Sequence, residues 1–215
     1  MKNLIVLFLT TISIMGCATP SVRTSSTIFQ GQDHLKRGTI AVLPFDKSQE
    51  GSLEFQAVSN HLLKKLSEVG YIPTIQASQS AFVAYITYGI DAGKTTISSV
   101  PSIGQTGGGT SYSSRTVSSG TRFGSYSGTT TTMPTYGVIG TIPVIDISYK
   151  RAVNIDIFEK TSTTPVKLYE MRAVSVGSCG NINAILFPII DGMFRNFPGE
   201  NGKTQRVDLP WNGIC

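Results

Sequence analysis

The chain has 215 residues with 18 basic and 13 acidic side chains, a formal charge of +5, and only 14% of its residues are charged. That excess is too small and too dispersed for a nucleic-acid surface, which gathers its cations on one face. Two histidines and three cysteines, well separated, do not make a metal site, and the length suits one ordinary core or one core carrying a long insertion.

Lys2 opens a run from Leu4 to Met15 that is apolar apart from Thr and Ser. At about 1.5 Å per helical residue such a run reaches about 18 Å, short of the roughly 30 Å hydrocarbon core. Residues 1–16 therefore read as a secretory leader. They end in Ile14-Met15-Gly16-Cys17, which resembles the lipobox of bacterial lipoproteins: small residues before the cut, then a Cys whose thiol accepts a diacylglyceryl group. The resemblance implies lipidation at Cys17, acyl chains of the palmitate type, and a membrane as first partner. Each buried methylene contributes about 0.8 kcal/mol, so two or more chains hold a protein where one does so marginally. By resemblance to enterobacterial sorting rules, Ala18 implies the outer membrane, facing the periplasm or the cell surface.

Outside the cytosol, the two remaining cysteines, Cys179 and Cys215, read as a disulfide. Such a bond would stabilise by about 4 kcal/mol on the chain-entropy model and hold down a terminus that otherwise frays. Two free thiols, or an intermolecular link through Cys215, are the alternatives.

Residues 17–37 are rich in Ser and Thr with little periodicity, and read as a lipidated tether. A single domain is expected over 38–215. It opens with the β-branched run Thr39-Ile40-Ala41-Val42-Leu43, stopped by Pro44. Ser52 caps a predicted helix over 52–69, with Ala57, Val58, Leu62, Leu66 and Val69 at helical spacing and Gly70 as its stop. Residues 81–88 read as a second strand. From 98 to 137 Gly, Ser and Thr dominate, with Gly107-Gly108-Gly109 and Thr129 to Thr132 as low-complexity runs. This stretch reads as a flexible insertion, with Ser119-Gly120 turning a loose hairpin. Val153, Ile155 and Ile157 alternate with Asn154 and Asp156, a half-buried strand. Val166 to Val176 is its predicted partner, with Leu168, Glu170 and Arg172 on one face. A final apolar helix is expected over 183–197, capped by Asn181 or Asn183, with Pro188 in its first turns. The fold expected is α+β: an antiparallel or mixed sheet of about four to six strands, with both helices on one face and the Gly/Ser/Thr-rich insertion.

Leu43-Pro44-Phe45, the Gly70-Tyr71 boundary, the Gly/Ser-rich middle, the strand hairpin and the close in Phe197-Pro198-Gly199 together resemble the envelope lipoproteins grouped as domain of unknown function 4136. The resemblance spans about Thr39 to Gly202. It implies an envelope compartment and an α+β fold, and it carries no catalytic residues. A Cys pair is not obligatory in such chains, so Cys179 and Cys215 depart from the pattern.

Chemical motifs fall short. Asp91-Ala92-Gly93-Lys94-Thr95-Thr96 ends like a phosphate-binding loop, but Tyr88 stands where its first Gly belongs. Gly124-Ser125-Tyr126-Ser127-Gly128 has Tyr where a nucleophile elbow needs Ser. His34 falls in the tether and His61 on the first helix, so a positioned triad is not expected. Asp156 and Glu170 sit on facing strands and read as solvated positions. Cys179 reads as bonded rather than as a reactive thiol. No catalytic residue, cofactor or metal is expected. The expected function is that of a lipid-anchored envelope protein, non-enzymatic, binding envelope proteins through the Gly/Ser/Thr-rich segment or supporting an assembly. An envelope hydrolase acting on cell wall or lipid, and a subunit of an oligomeric outer-membrane pore, are the alternatives.

Overall fold

In the computed structural model, residues 20–161, 164–212, 214 and 215 are described, without the side chains of Ser119 and Phe123. Eight strands and two helices occur in the order β1 (Ser21–Gln30), β2 (Thr39–Pro44), α1 (Leu53–Glu68), β3 (Ile72–Pro73), β4 (Phe82–Ile90), β5 (Lys94–Ser119), β6 (Arg122–Glu159), β7 (Val166–Gly177), α2 (Leu186–Phe194) and β8 (Thr204–Pro210). The chain divides into two units, Lys94–Ile147 being one and the rest the other.

The larger unit is organised by one mixed sheet in the order β3-β2-β4-β6-β7-β1-β8, with β5 paired to β6. β2 runs parallel to β3 and β4, and the remaining pairs are antiparallel. Helix α1 forms where its periodicity predicts. The Ser52 hydroxyl accepts from the Phe55 N–H at 3.0 Å, which satisfies one orphan donor of the first turn. Phe55, Val58, Leu62 and Leu66 then form one buried stripe. They share a core with Ile40, Val42, Val153, Ile155 and Ile157 of the sheet and with Leu186, Ile189, Ile190 and Met193 of α2. Leu62 is fully buried; Leu62→Ala is expected to cost about 2–5 kcal/mol, read as a lowered denaturant midpoint at unchanged slope.

The expected α+β fold with four to six strands is corrected: 57% of residues lie in strands and 16% in helices, with eight strands in the sheet. Much of the difference comes from residues expected as tether. β1 pairs with β7 through Thr24↔Ser175 to Gln30↔Tyr169 and with β8 through Ser21↔Pro210 to Thr27↔Thr204. Its inward row is Val22, Thr24, Ser26 and Ile28, all buried. Small hydroxyl residues on that row admit α2 closely: a β-carbon built on Gly192 lies 3.3 Å from Thr24 Cβ. The end of the expected tether is held as well. Arg37 donates to Val69 O at 3.0 Å and to His34 O at 2.6 Å, and its guanidinium lies 4.7 Å from the centre of the Tyr71 ring.

Two smaller differences have local causes. A register shift between Ile157 and Phe158 places two residues of β7 inward in succession, so Leu168 is buried beside Tyr169 instead of sharing the face of Glu170 and Arg172. Helix α2 begins at Leu186, later than expected, and no side chain caps it. Asn181 Oδ1 instead accepts from the Asn183 N–H at 3.0 Å in the preceding turn.

The smaller unit replaces the expected flexible insertion with regular structure. β5 and the first part of β6 form a two-stranded ribbon, turned at Gly120 with φ 63°. β5 alone has 26 residues, about 85 Å at roughly 3.3 Å per residue.

Candidate functional site

Cys17, the predicted lipidation site, lies outside the described residues, as does the expected leader over 1–16. Cys179 and Cys215 are joined by a disulfide with Cα atoms 5.4 Å apart, so Cys179 is not a free nucleophile. Arg151 supports the Cys179 end. Its side chain is buried and donates to Cys179 O at 2.7 and 3.2 Å and to Ser175 Oγ at 3.4 Å. Burial pulls the guanidinium below its ordinary value, with Asp91 opposing. Sequence reasoning missed Arg151, because a cation next to Lys150 reads as solvent-facing; nothing local announces that Cys179 O stands opposite.

The residues weighed for chemistry are dispersed. His61 Nε2 lies 2.9 Å from Asp191 Oδ1, with Lys65 Nζ 3.3 Å from the same oxygen. Its ring stacks on Phe187 at 4.5 Å. This arrangement ties α1 to α2. His34 Nδ1 contacts Gly31 O at 2.9 Å, within its own loop. Asp156 and Glu170 are register partners, yet both carboxylates bind Lys167 Nζ, at 3.0 and 3.4 Å. Bridged by one lysine on a hairpin surface, the two carboxylates form an ion-pair network rather than an acid and a base flanking a substrate. Asp91 Oδ1 accepts from the Gly93 N–H at 3.0 Å and the Lys150 N–H at 2.9 Å. It is a turn, as the missing first Gly implied. Ser125 and Ser127 lie within β6, in extended chain rather than on a strand-to-helix elbow. Among the described residues, no group of three or more His, Cys, Asp or Glu converges on a metal-sized site.

Two tyrosines have phenols pushed up to about 12: Tyr71 by burial, with Arg37 opposing, and Tyr88 by burial and by its 3.0 Å bond to Glu54. Both help hold the packing around α1. A groove of about 460 Å³ lies between α1 and β3, lined by Val42, Phe55, Gln56, Asn60 and Ile75 among others. Glu50 is its one ionisable residue, so the groove offers contact surface rather than acid–base chemistry.

The ribbon is the feature with no internal purpose. Between Lys94 and Ile147 the charged residues are Lys94, Arg115, Arg122 and Asp146. Large apolar side chains stand exposed on it, including Ile97 (70%), Ile103 (72%), Tyr136 (70%), Val138 (62%) and Ile142 (57%). Contacts across the ribbon give its faces. A β-carbon on Gly104 would meet the Ile139 side chain, and one on Gly137 lies 3.1 Å from Thr106 Cγ2. Thr106 Oγ1 and Thr135 Oγ1 are 3.5 Å apart. Gly104, Thr106, Thr135, Gly137 and Ile139 therefore share one face. By alternation, Ile97, Ile103, Tyr136, Val138 and Ile142 share the other. Gly108 has φ 79° and Gly109 φ 112°, and a β-carbon on Gly108 would collide with the Met133 carbonyl. Only glycine fits there. Beyond this point the strands are joined by hydroxyls, Thr110 Oγ1 lying 3.3 Å from Thr131 Oγ1 and Ser113 Oγ donating to Gly128 O at 3.3 Å. The alternation of Tyr136, Val138, Ile142 and Val144 was a sequence signal for this strand, diluted by Gly140 and by Ile139 and Ile145 on the opposite row.

No family model matches the chain, and no curated protein matches it. Among solved structures it is similar to a PDZ domain protein from Parabacteroides distasonis ATCC 8503, with a TM-score of 0.46 and 9% identity, over 88% of this chain and 39% of that one. The chain thus spans about two fifths of the length of that structure.

Proposed function

We propose that the chain is a lipid-anchored protein of the bacterial outer membrane, acylated at Cys17, that acts without catalysis as a component of an envelope assembly. The observation that carries this reading is the nearly uncharged ribbon Lys94–Ile147 with its exposed apolar residues. A two-stranded hairpin is marginal in water, and exposed strand edges invite pairing with another chain. Residues arranged so are suited to ordering against a partner. Support for the compartment comes from the lipobox Ile14-Met15-Gly16-Cys17, from the disulfide, which belongs to oxidising compartments, and from the likeness to the lipoproteins of domain of unknown function 4136. Tethering raises the local concentration of the ribbon at the membrane, so modest contacts suffice.

Crosslinking in intact cells tests the reading. The full chain is compared with one in which residues 98–143 are replaced by a short turn. The full chain is expected to give discrete crosslinked species that the shortened chain lacks. Identical patterns from the two would overturn the ribbon as the assembling element.

A further inference from the structure

We infer that the larger unit sits directly on the membrane, with the end of its sheet where β1 begins against the phospholipid headgroups and β1 running away from them. The inference rests on acylation at Cys17, proposed above, and names the surface that meets the lipid.

Reach decides it first. Residues 17–37 read as a tether, but β1 begins at Ser21, and the Pro20 carbonyl before it accepts from the Trp211 N–H at 2.9 Å. Ala18 and Thr19 are all that separates Cys17 from Pro20. Consecutive Cα atoms are about 3.8 Å apart, so the three peptide links span at most about 11 Å in any conformation. Acyl chains buried in the hydrocarbon hold Cys17 at the headgroups. A flexible chain as long as 18–37 would let the body turn freely above them, and so short a link does not.

The anchor also leaves from a braced corner. Ser21 and Pro210 are register partners at the start of the ladder between β1 and β8. Trp211 donates Nε1–H to Ala184 O at 3.2 Å. The Cys179–Cys215 bond, with Arg151 donating to Cys179 O, ties the tail to β6. The position of Cys17 is thereby passed on to the sheet instead of being lost in a fraying strand.

The register shows what else stands at this end. Thr24, Ser175, Arg151 and Ile90 form one row across β1, β7, β6 and β4. Arg23, Val176, Lys150 and Asp91 follow on the lipid side of that row. Val176 is 60% exposed, and Ile214, beside the disulfide, 71%. Lys150 is exposed and forms no ion pair among the described residues. Asp208 is paired with Arg23 at 2.8 Å, and Asp91 Oδ1 accepts from two backbone N–H groups. Exposed apolar side chains, a cation and a half-buried Trp suit a headgroup layer, where an aromatic ring has one apolar and one wet side and a cation meets phosphate. The opposite end carries Asp33, Lys36, Glu159, Glu200 and Lys203 in ion pairs, which suit water.

The test uses Trp211, the chain's single Trp, as an energy donor. The full acylated chain is reconstituted on vesicles of phosphatidylethanolamine and phosphatidylglycerol with a trace of dansyl-labelled phosphatidylethanolamine as acceptor. A Leu35→Trp, Trp211→Phe variant moves the donor to the opposite end, where Leu35 is 75% exposed in the loop after β1. β1 has ten residues, about 33 Å at roughly 3.3 Å per residue. Transfer from Trp211 is expected to exceed transfer from position 35 several-fold. Insertion of about twelve Gly and Ser residues between Ala18 and Thr19 is expected to bring the two donors close to equal transfer. An intact Cys179–Cys215 link and an unchanged far-ultraviolet dichroism spectrum confirm folding of each variant. Fatty-acid labelling at Cys17 and flotation with the vesicles are measured in parallel. Equal transfer from the two donors in labelled, vesicle-bound chains without the insertion overturns the orientation and keeps the anchor. A difference that survives the insertion overturns the short reach as its cause. An unlabelled chain overturns the anchor, and this inference with it.

Discussion

Cys17→Ser is expected to abolish fatty-acid incorporation and to leave the leader 1–16 uncleaved, so that the chain is heavier at its start and carries no acyl mass. The magnitude follows from chain number. A single acyl chain gives an association constant of about 10⁴ M⁻¹, and a second makes dissociation negligible. Radiolabelled palmitate and intact mass measure both parts. An unlabelled native chain, or a native chain whose mass retains residues 1–16, would refute the anchor.

Removal of the disulfide is the second large effect. The bond joins residues 36 apart, and closing a loop of that size stabilises by about 4 kcal/mol on the chain-entropy model. Cys215→Ser, or reduction, is expected to lower the thermal midpoint by about 10 °C in a chain of this size. The tail is expected to open first. Trp211 donates Nε1–H to Ala184 O at 3.2 Å, and its N–H donates to Pro20 O at 2.9 Å, so loss of the bond at Cys215 loosens the contacts that hold β8 and β1. Trp211 is the chain's single Trp, and its fluorescence should report the opening before the far-ultraviolet signal changes. The Cys179 end is expected to stay ordered, because Arg151 holds its carbonyl. Equal midpoints with and without reductant would show that the bond contributes nothing.

The part of the candidate site legible in the sequence was its covalent chemistry. With Cys17 set aside as the expected acyl site, an even pair of cysteines suffices to suggest the bond that joins Cys179 to Cys215. The ribbon was legible only in part. Its turn at Ser119-Gly120 was marked by residue type, but its order was hidden, because Gly, Ser and Thr have the composition of a flexible segment. Whether such residues form strands depends on the partner strand across the ribbon: Thr110 faces Thr131 and Gly104 faces Ile139.

By itself the sequence determined the elements whose burial repeats locally. Leu62 and Leu66 at helical spacing, and Val153, Ile155 and Ile157 at strand spacing, marked the sides that face the core, because a period of 3.6 or 2 is a property of neighbouring residues. The tertiary structure alone decided the rest. β1 hides among tether-like residues because its inward Thr24 and Ser26 are suited to the close approach of Gly192, and β8 joins the sheet because β1 is there to pair with it. The shift at Ile157 turns Leu168 inward. Each of these depends on groups more than ten residues apart in the chain coming into contact, and no local period records which distant strand or helix will arrive.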